Sequence, residues 1–221
     1  MTLLDSLNGR QALFRRFITV LFILLFLLAL VPVGQALAKP VKIVAFGDSL
    51  TAGYGLTIDE SYPVKLQAAL AARGYDVVIT NAGVSGDTTS AGLARLDWAV
   101  GDDADIVIVE LGANDALRGI DPAQTRKALT AIVSRLLAKN KKILLAGMLP
   151  PPNLGEDYGE RFRAIYSDLG ALEGVTFYRF FLEGVAAQPK LNQPDGLHPT
   201  AKGVDEIVKR LVPVILPLLK R

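Results

Sequence analysis

Two short motifs, far apart in the sequence, contain the residue types that nucleophilic catalysis needs. An apolar, β-prone run at 41–46 ends in Gly47-Asp48-Ser49, and the carboxyl ends of parallel strands are where open α/β folds bind ligands. A serine hydroxyl is a poor nucleophile without a base. The chain of 221 residues has one histidine, His198, within Asp195-Gly196-Leu197-His198. If an imidazole activates Ser49, the base is therefore His198.

Two further strand ends and one acid would complete such a site. Gly86 follows the second predicted strand and has an N–H that a ligand can approach closely, while Asn114 follows the third and has an amide donor. Acyl transfer needs a nucleophile, a base, a group such as Asp195 that orients the base, and donors facing the developing oxyanion. Each residue alone also has an ordinary structural explanation, for example a helix N-cap for Ser49. Their common position at strand ends favours the catalytic interpretation.

The elements that must position these residues alternate along the chain. Apolar runs predict strands at 41–46, 76–80, 105–111, 142–148 and 175–178. Amphipathic runs predict helices at 62–73, 88–100, 121–139, 160–172 and 201–219, the first with Val64, Leu66, Ala69 and Leu70 as its buried stripe. Because crossovers between parallel strands are right-handed, this order predicts an α/β fold with helices on both faces of a parallel sheet.

Composition excludes several classes of protein. The absence of cysteine rules out disulfides, thiolate zinc sites and a cysteine nucleophile, and a single histidine rules out a multi-histidine metal site. We expect no cofactor and no metal. The net charge of +2 comes from residues 1–38, so the remainder is balanced and has no basic footprint for nucleic acid.

The first 38 residues are typical of a secretory signal peptide. Arg15-Arg16 precede an apolar run at 17–31 that only Thr19 interrupts, and Ala36-Leu37-Ala38 supplies a small-x-small cleavage site. We expect cleavage near Ala38, a single domain at 39–221, and a periplasmic or secreted protein. An uncleaved membrane anchor is the alternative, although a span needs about 20 apolar residues.

Four blocks together resemble the GDSL, or SGNH, hydrolase superfamily over about residues 41–220. The blocks are Gly47-Asp48-Ser49-Leu50, Gly86, Gly112-Ala113-Asn114-Asp115 and Asp195-Gly196-Leu197-His198. Longer matches, such as Gly-Asp-Ser-Leu-Thr-Ala-Gly-Tyr, resemble its periplasmic bacterial thioesterase/lysophospholipase/arylesterase subgroup. Small departures occur at Gly83, Val84 and Ala113.

This resemblance implies a three-layer α/β/α, flavodoxin-like fold with a central parallel sheet of about five strands, and a serine esterase. By position, Ser49 is the nucleophile, His198 the base and Asp195 its orienting acid. The N–H groups of Ser49 and Gly86 and the Asn114 side chain form the oxyanion hole. The segment 115–120 resembles a mobile flap and the 150–158 loop a second wall of an acyl groove. The implied substrate-binding residues are Asp115, Leu117, Ile120, Pro151 and Tyr158.

The implied substrates are esters and thioesters with an acyl chain: aryl esters, lysophospholipids and acyl-CoA. A carbohydrate O-acetylesterase of the same superfamily, with a narrow polar site, is the nearest rival, and a non-catalytic envelope binding domain is a more distant one. The sequence lacks the Gly-x-Ser-x-Gly elbow of α/β-hydrolases and complete phosphate-binding glycine motifs. We expect a monomer that meets a membrane only through its leader or a lipid substrate.

Overall fold

Five parallel strands form the centre of the fold, as predicted. In the computed structural model their order is β2-β1-β3-β4-β5, and every neighbouring pair is parallel. The strands are β1 (Val41–Gly47), β2 (Val77–Gly83), β3 (Ile106–Glu110), β4 (Lys142–Ala146) and β5 (Val175–Tyr178). This order is that of flavodoxin-like doubly wound sheets.

The structure describes Ile18 and residues 39–220. The chain separates into one unit of Met1–Lys39 and another of Pro40–Arg221, and the sheet belongs to the second. The predicted signal peptide, apart from Ile18, lies outside the described residues. Among the residues described, no helix combines the length and apolar character needed to cross a membrane.

Helices flank the sheet on both sides. They are α1 (Ser49–Ala52), α2 (Tyr62–Ala71), α3 (Thr89–Ala99), α4 (Ala113–Leu117), α5 (Pro122–Ala138), α6 (Glu156–Gly170) and α7 (Ala201–Ile215), with 3₁₀ turns at Ile58–Glu60, Pro152–Leu154 and Leu216–Leu219. One group pairs α2 with α7, and the other packs α5 between α3 and α6. The apolar run of β3 is explained by this arrangement, because all five of its residues are buried.

Two local expectations were wrong at the side of the fold near β2. Val64 of α2 is 40% exposed, because the helix turns Tyr62, Leu66 and Leu70 toward the core instead. Strand β2 continues to Gly83, beyond its predicted end. At that end a Cβ on Gly83 would lie 2.2 Å from the backbone nitrogen of Ala52, so α1 can pack there only against glycine.

Candidate active site

The end of β1 places Ser49 at the start of a short helix. The Asp48 side chain caps α1, accepting a hydrogen bond from the Leu50 N–H at 3.0 Å. Gly47 makes the sharp strand-to-helix turn possible, because a Cβ there would lie 2.0 Å from Oγ1 of Thr51. The hydroxyl of Ser49 is thereby held at the carboxyl edge of the sheet.

His198 meets Ser49 across 149 positions of sequence. The Oγ of Ser49 lies 2.9 Å from Nε2 of His198, and Nδ1 of His198 lies 2.6 Å from Oδ2 of Asp195. Because the carboxylate accepts at Nδ1, the proton belongs on that nitrogen and Nε2 is free to accept the Ser49 proton. This is the geometry in which an imidazole can take a proton from a hydroxyl.

Asp195 is kept ionised by its own loop. Its Oδ1 accepts hydrogen bonds from the N–H groups of Leu197 at 2.9 Å and His198 at 3.0 Å. These contacts, with the backbone N–H and then the ring of His198 contributing most, lower the pKa of Asp195 to about 2. The carboxylate of Asp195 is therefore ionised at neutral pH, next to the His198 ring.

Asn114, in the short helix α4 after β3, and Gly86, in the turn after β2, come to the same edge of the sheet. Nδ2 of Asn114 lies 3.1 Å from Oδ2 of Asp48 and 3.0 Å from the carbonyl oxygen of Asp87. Gly86 precedes that carbonyl in an exposed turn, with φ +87, and its own oxygen accepts from Arg118 at 2.9 Å. Asn114 lines the cavity beside Ser49, whereas Gly86 does not line it and precedes the Asp87 carbonyl that holds the amide.

Asp48 and Glu110 form a buried acidic pair under the site. Oε2 of Glu110 accepts a hydrogen bond from Oγ1 of Thr51 at 2.7 Å, while Oε1 has no partner within the described part of the chain. Burial raises the pKa of Asp48 to about 6 and raises the pKa of Glu110 well above its usual range. Burial therefore favours the protonated form of both carboxyl groups.

An apolar cavity of about 580 Å³ opens beside Ser49, Asn114 and His198. Its walls come from the 113–117 helix, the 148–152 loop and the segment around Phe180. Of the predicted substrate-binding residues, Leu117 and Pro151 line it. A cavity of this size and character suits an apolar chain better than a sugar.

The other three predicted substrate-binding residues, Asp115, Ile120 and Tyr158, make their contacts outside this cavity. Asp115 is buried, and its carboxylate accepts from the N–H and hydroxyl of Thr89 at 2.8 and 2.5 Å and from the Thr125 hydroxyl at 3.0 Å. The hydroxyl of Tyr158 donates to the Ile120 carbonyl at 2.8 Å. None of these three side chains lines the cavity. They hold its wall in place, because they tie α4 to α3 and α5 and the 120 turn to α6.

Two residues near the site were not anticipated. The ring of Tyr54 lies 4.5 Å from the His198 ring, and Gln193 fixes this arrangement by donating to the Tyr54 carbonyl at 2.7 Å. Arg95 donates to Asp87 at 2.6 Å and to the carbonyl of Gly47 at 2.9 Å, so it joins the ends of the first two strands. The sequence signal for Tyr54 was its place at the end of the matching block Gly-Asp-Ser-Leu-Thr-Ala-Gly-Tyr, which carried no role for it.

Comparison with known proteins agrees with this geometry. The profile of the GDSL-like Lipase/Acylhydrolase family matches residues 45–205. Esterase TesA of Pseudomonas aeruginosa is 38% identical over 193 residues, covering 87% of this chain and 96% of that protein. Thioesterase 1/protease 1/lysophospholipase L1 of Escherichia coli is 37% identical over 174 residues, covering 76% and 82%. The crystal structure of AlinE4, an SGNH-hydrolase family esterase, aligns with a TM-score of 0.69 at 46% identity, covering 84% of this chain and all of that one.

Fold and site together define the class as a serine-type ester hydrolase. The chain belongs to the GDSL-like lipase/acylhydrolase family.

Proposed function

We propose that this chain hydrolyses aryl esters, lysophospholipids and acyl thioesters through an acyl-enzyme formed on Ser49. The observation that carries the proposal is the 2.9 Å contact between Ser49 Oγ and His198 Nε2 at the mouth of an apolar cavity of about 580 Å³. The names of the relatives, esterase and thioesterase/lysophospholipase, support the same substrate range.

The proposed steps follow from the contacts. His198 takes the proton of Ser49 as the hydroxyl attacks the carbonyl carbon, and Asp195 stabilises the imidazolium without being protonated. The oxyanion is stabilised by the N–H groups of Ser49 and Gly86 and by the Asn114 side-chain amide. In the structure this amide donates to the Asp48 carboxylate and the Asp87 carbonyl, and one of these N–H groups turns to the oxyanion when it forms. His198 returns its proton to the leaving group, and water then releases the acyl chain by the same route.

The rival functions fit the site less well. A carbohydrate O-acetylesterase would need polar groups for sugar hydroxyls, but apolar residues such as Leu117, Met148 and Phe180 form the cavity. A binding domain without catalysis would have no use for a serine and a histidine at hydrogen-bonding distance. We further propose that the protein acts in the periplasm or outside the cell. This rests on the pattern in residues 1–38, and fractionation of cells checks the location.

A serine-directed organophosphonate tests the nucleophile. We expect labelling of the unmodified protein, loss of labelling in Ser49→Ala, and a fall in p-nitrophenyl ester turnover of at least about 10³-fold. Ser85→Ala, in the neighbouring loop, is the matched control and keeps the label. Equal labelling of Ser49→Ala would show that another residue is the nucleophile. A chain-length series of p-nitrophenyl esters then measures how much of the cavity the acyl chain fills.

A further inference from the structure

Two arginines lie behind one wall of the acyl cavity. Arg163 of α6 and Arg179, directly after β5, both line two adjoining clefts of about 530 and 210 Å³. The larger cleft is bounded by residues 149–152, and the same four residues bound the acyl cavity on their other side. These four residues therefore form the wall between the acyl cavity and the arginine-lined cleft.

These arginines differ from the others in the described part of the chain. In that part of the chain, the guanidinium groups of Arg163 and Arg179 have no hydrogen bond to a protein group and no carboxylate within ion-pair distance. The guanidinium of each remaining arginine has at least one such contact. Those remaining arginines are Arg73, Arg95, Arg118, Arg126, Arg135, Arg161 and Arg210. Two guanidinium groups that share a cleft without a carboxylate partner form a natural receptor for a doubly or singly charged oxyanion.

The start of α6 lies beside these arginines, and its first turn also contains the acidic residues Glu156 and Asp157. A Cβ at Gly159 would lie 3.0 Å from Nη1 of Arg163, so the guanidinium folds back over Gly159 toward the beginning of the helix. Gly155 caps α6 without a side-chain hydrogen bond, and the cleft reaches this first turn, whose N–H groups attract anions. Glu156 also lines the cleft and is its one opposing charge among the described lining residues.

We propose that this arginine cleft binds a phosphate group of the substrate, across the wall formed by residues 149–152. The inference rests on the proposed function and narrows it to phosphate-bearing acyl compounds. The phosphate of a lysophospholipid and the phosphates of acyl-CoA share the required chemistry, and the experiment separates them.

The test compares matched substrates with and without phosphate. Octanoyl-CoA is paired with octanoyl-N-acetylcysteamine, and octanoyl lysophosphatidylcholine with monooctanoylglycerol; the readout is the ratio of kcat/KM within each pair. We expect the double variant Arg163→Gln/Arg179→Gln to lower the ratio about tenfold, and added salt to lower it in the unmodified protein. Glu156→Gln raises it roughly threefold.

The control is Arg135→Gln, which removes an exposed arginine paired with Asp97 and leaves both ratios unchanged. A fall confined to the thioester pair assigns the cleft to CoA phosphates, and one confined to the glycerol pair assigns it to the lipid phosphate. Unchanged ratios in both pairs would overturn the inference. Absence of turnover of all four substrates by the unmodified protein would instead overturn the proposed function, and this assignment with it.

Discussion

Two aspartates beside the site illustrate opposite ways of holding a carboxyl group. Asp195 has a side chain that is 37% exposed, and hydrogen bonds from its own loop hold its pKa at about 2. Asp48 is fully buried next to Glu110, and burial raises its pKa to about 6. Asp195 contacts the proposed base, His198, whereas Asp48 contacts the proposed oxyanion donor, Asn114.

The difference shows which charge depends on the fold. The loop that contains Asp195 supplies most of its own stabilising donors, within three residues. The charge on Asp48 is stabilised by the Leu50 N–H and the Asn114 amide against the cost of burial, and Asn114 lies 66 positions away. The effects of substitutions around Asp195 and around Asp48 should therefore differ in size and in their dependence on pH.

The largest effect is expected for Asp195→Asn. The amide can hold the imidazole in the wrong tautomer, so we expect kcat to fall about 10³- to 10⁴-fold with the fold intact. Turnover of p-nitrophenyl butyrate and a far-ultraviolet circular dichroism spectrum measure the two. Asp205→Asn, which removes an exposed carboxylate paired with Lys65, is the control. A loss below tenfold would mean that Asp195 does not orient the base.

The next largest effect is expected at Asn114, the proposed oxyanion donor. Asn114→Ala removes one oxyanion donor and should lower kcat by about 10²–10³ with little change in KM. Asn153→Ala, at an exposed position that does not line the acyl cavity, is the matched control. If Asn114→Ala raised KM and left kcat unchanged, the amide would bind the ground state rather than the transition state.

The local parts of this site could be predicted from sequence. Ser49 was placed correctly because an apolar strand ending at Gly47 leaves its next residues at the sheet edge, and His198 because no other imidazole exists. Asp115 was misplaced because its partners, Thr89 and Thr125, belong to two other helices, and no local pattern reports their approach. Asp115 directly follows the predicted amide donor Asn114, and that position favours an exposed carboxylate. Its burial follows only from hydrogen bonds that the two other helices supply.

The fold was predictable for the same reason, but the prediction was wrong at the edge strand β2. The order of strands and the parallel sheet follow from alternation and right-handed crossovers. The end of β2 was missed because Asn81 and Gly83 have low strand propensity, yet both pair with β1. Tertiary pairing and the close approach of α1 override the local preference there.

The buried acid gives a smaller effect, with a defined sign. The pKa of Asp48 is raised from 3.8 to about 6, so the native state holds this proton more tightly than the unfolded chain does. Its contribution to stability is full below about pH 4 and is lost as the pH rises to about 6. Asp195, with a lowered pKa, changes in the opposite direction between about pH 2 and 4. Between pH 4 and 6, Asp48→Asn should therefore lose less stability than the unmodified protein, by on the order of 2 kcal/mol.

Urea unfolding at several pH values measures this difference, and asparagine is a suitable replacement because it also caps helices well. Glu110 remains in both proteins, and because the charge on Asp48 also raises its pKa, the difference between the curves reports the pair. If the stability of the two proteins instead changed in parallel with pH, burial would not raise the pKa of Asp48. The two aspartates would then differ only in their position.

The smallest effect is expected at Tyr54, whose ring lies beside His198 with the centroids 4.5 Å apart. An aromatic face stabilises a neighbouring cation by about 0.5–1 kcal/mol at an exposed site. Since His198 becomes an imidazolium in the proposed step, Tyr54→Ala should lower kcat about two- to fivefold, whereas Tyr54→Phe retains the ring and the rate. Steady-state kinetics with p-nitrophenyl butyrate distinguish the two variants. A similar loss in both would assign the role to the phenol hydroxyl, and no loss in either would leave the orientation of His198 to Asp195 alone.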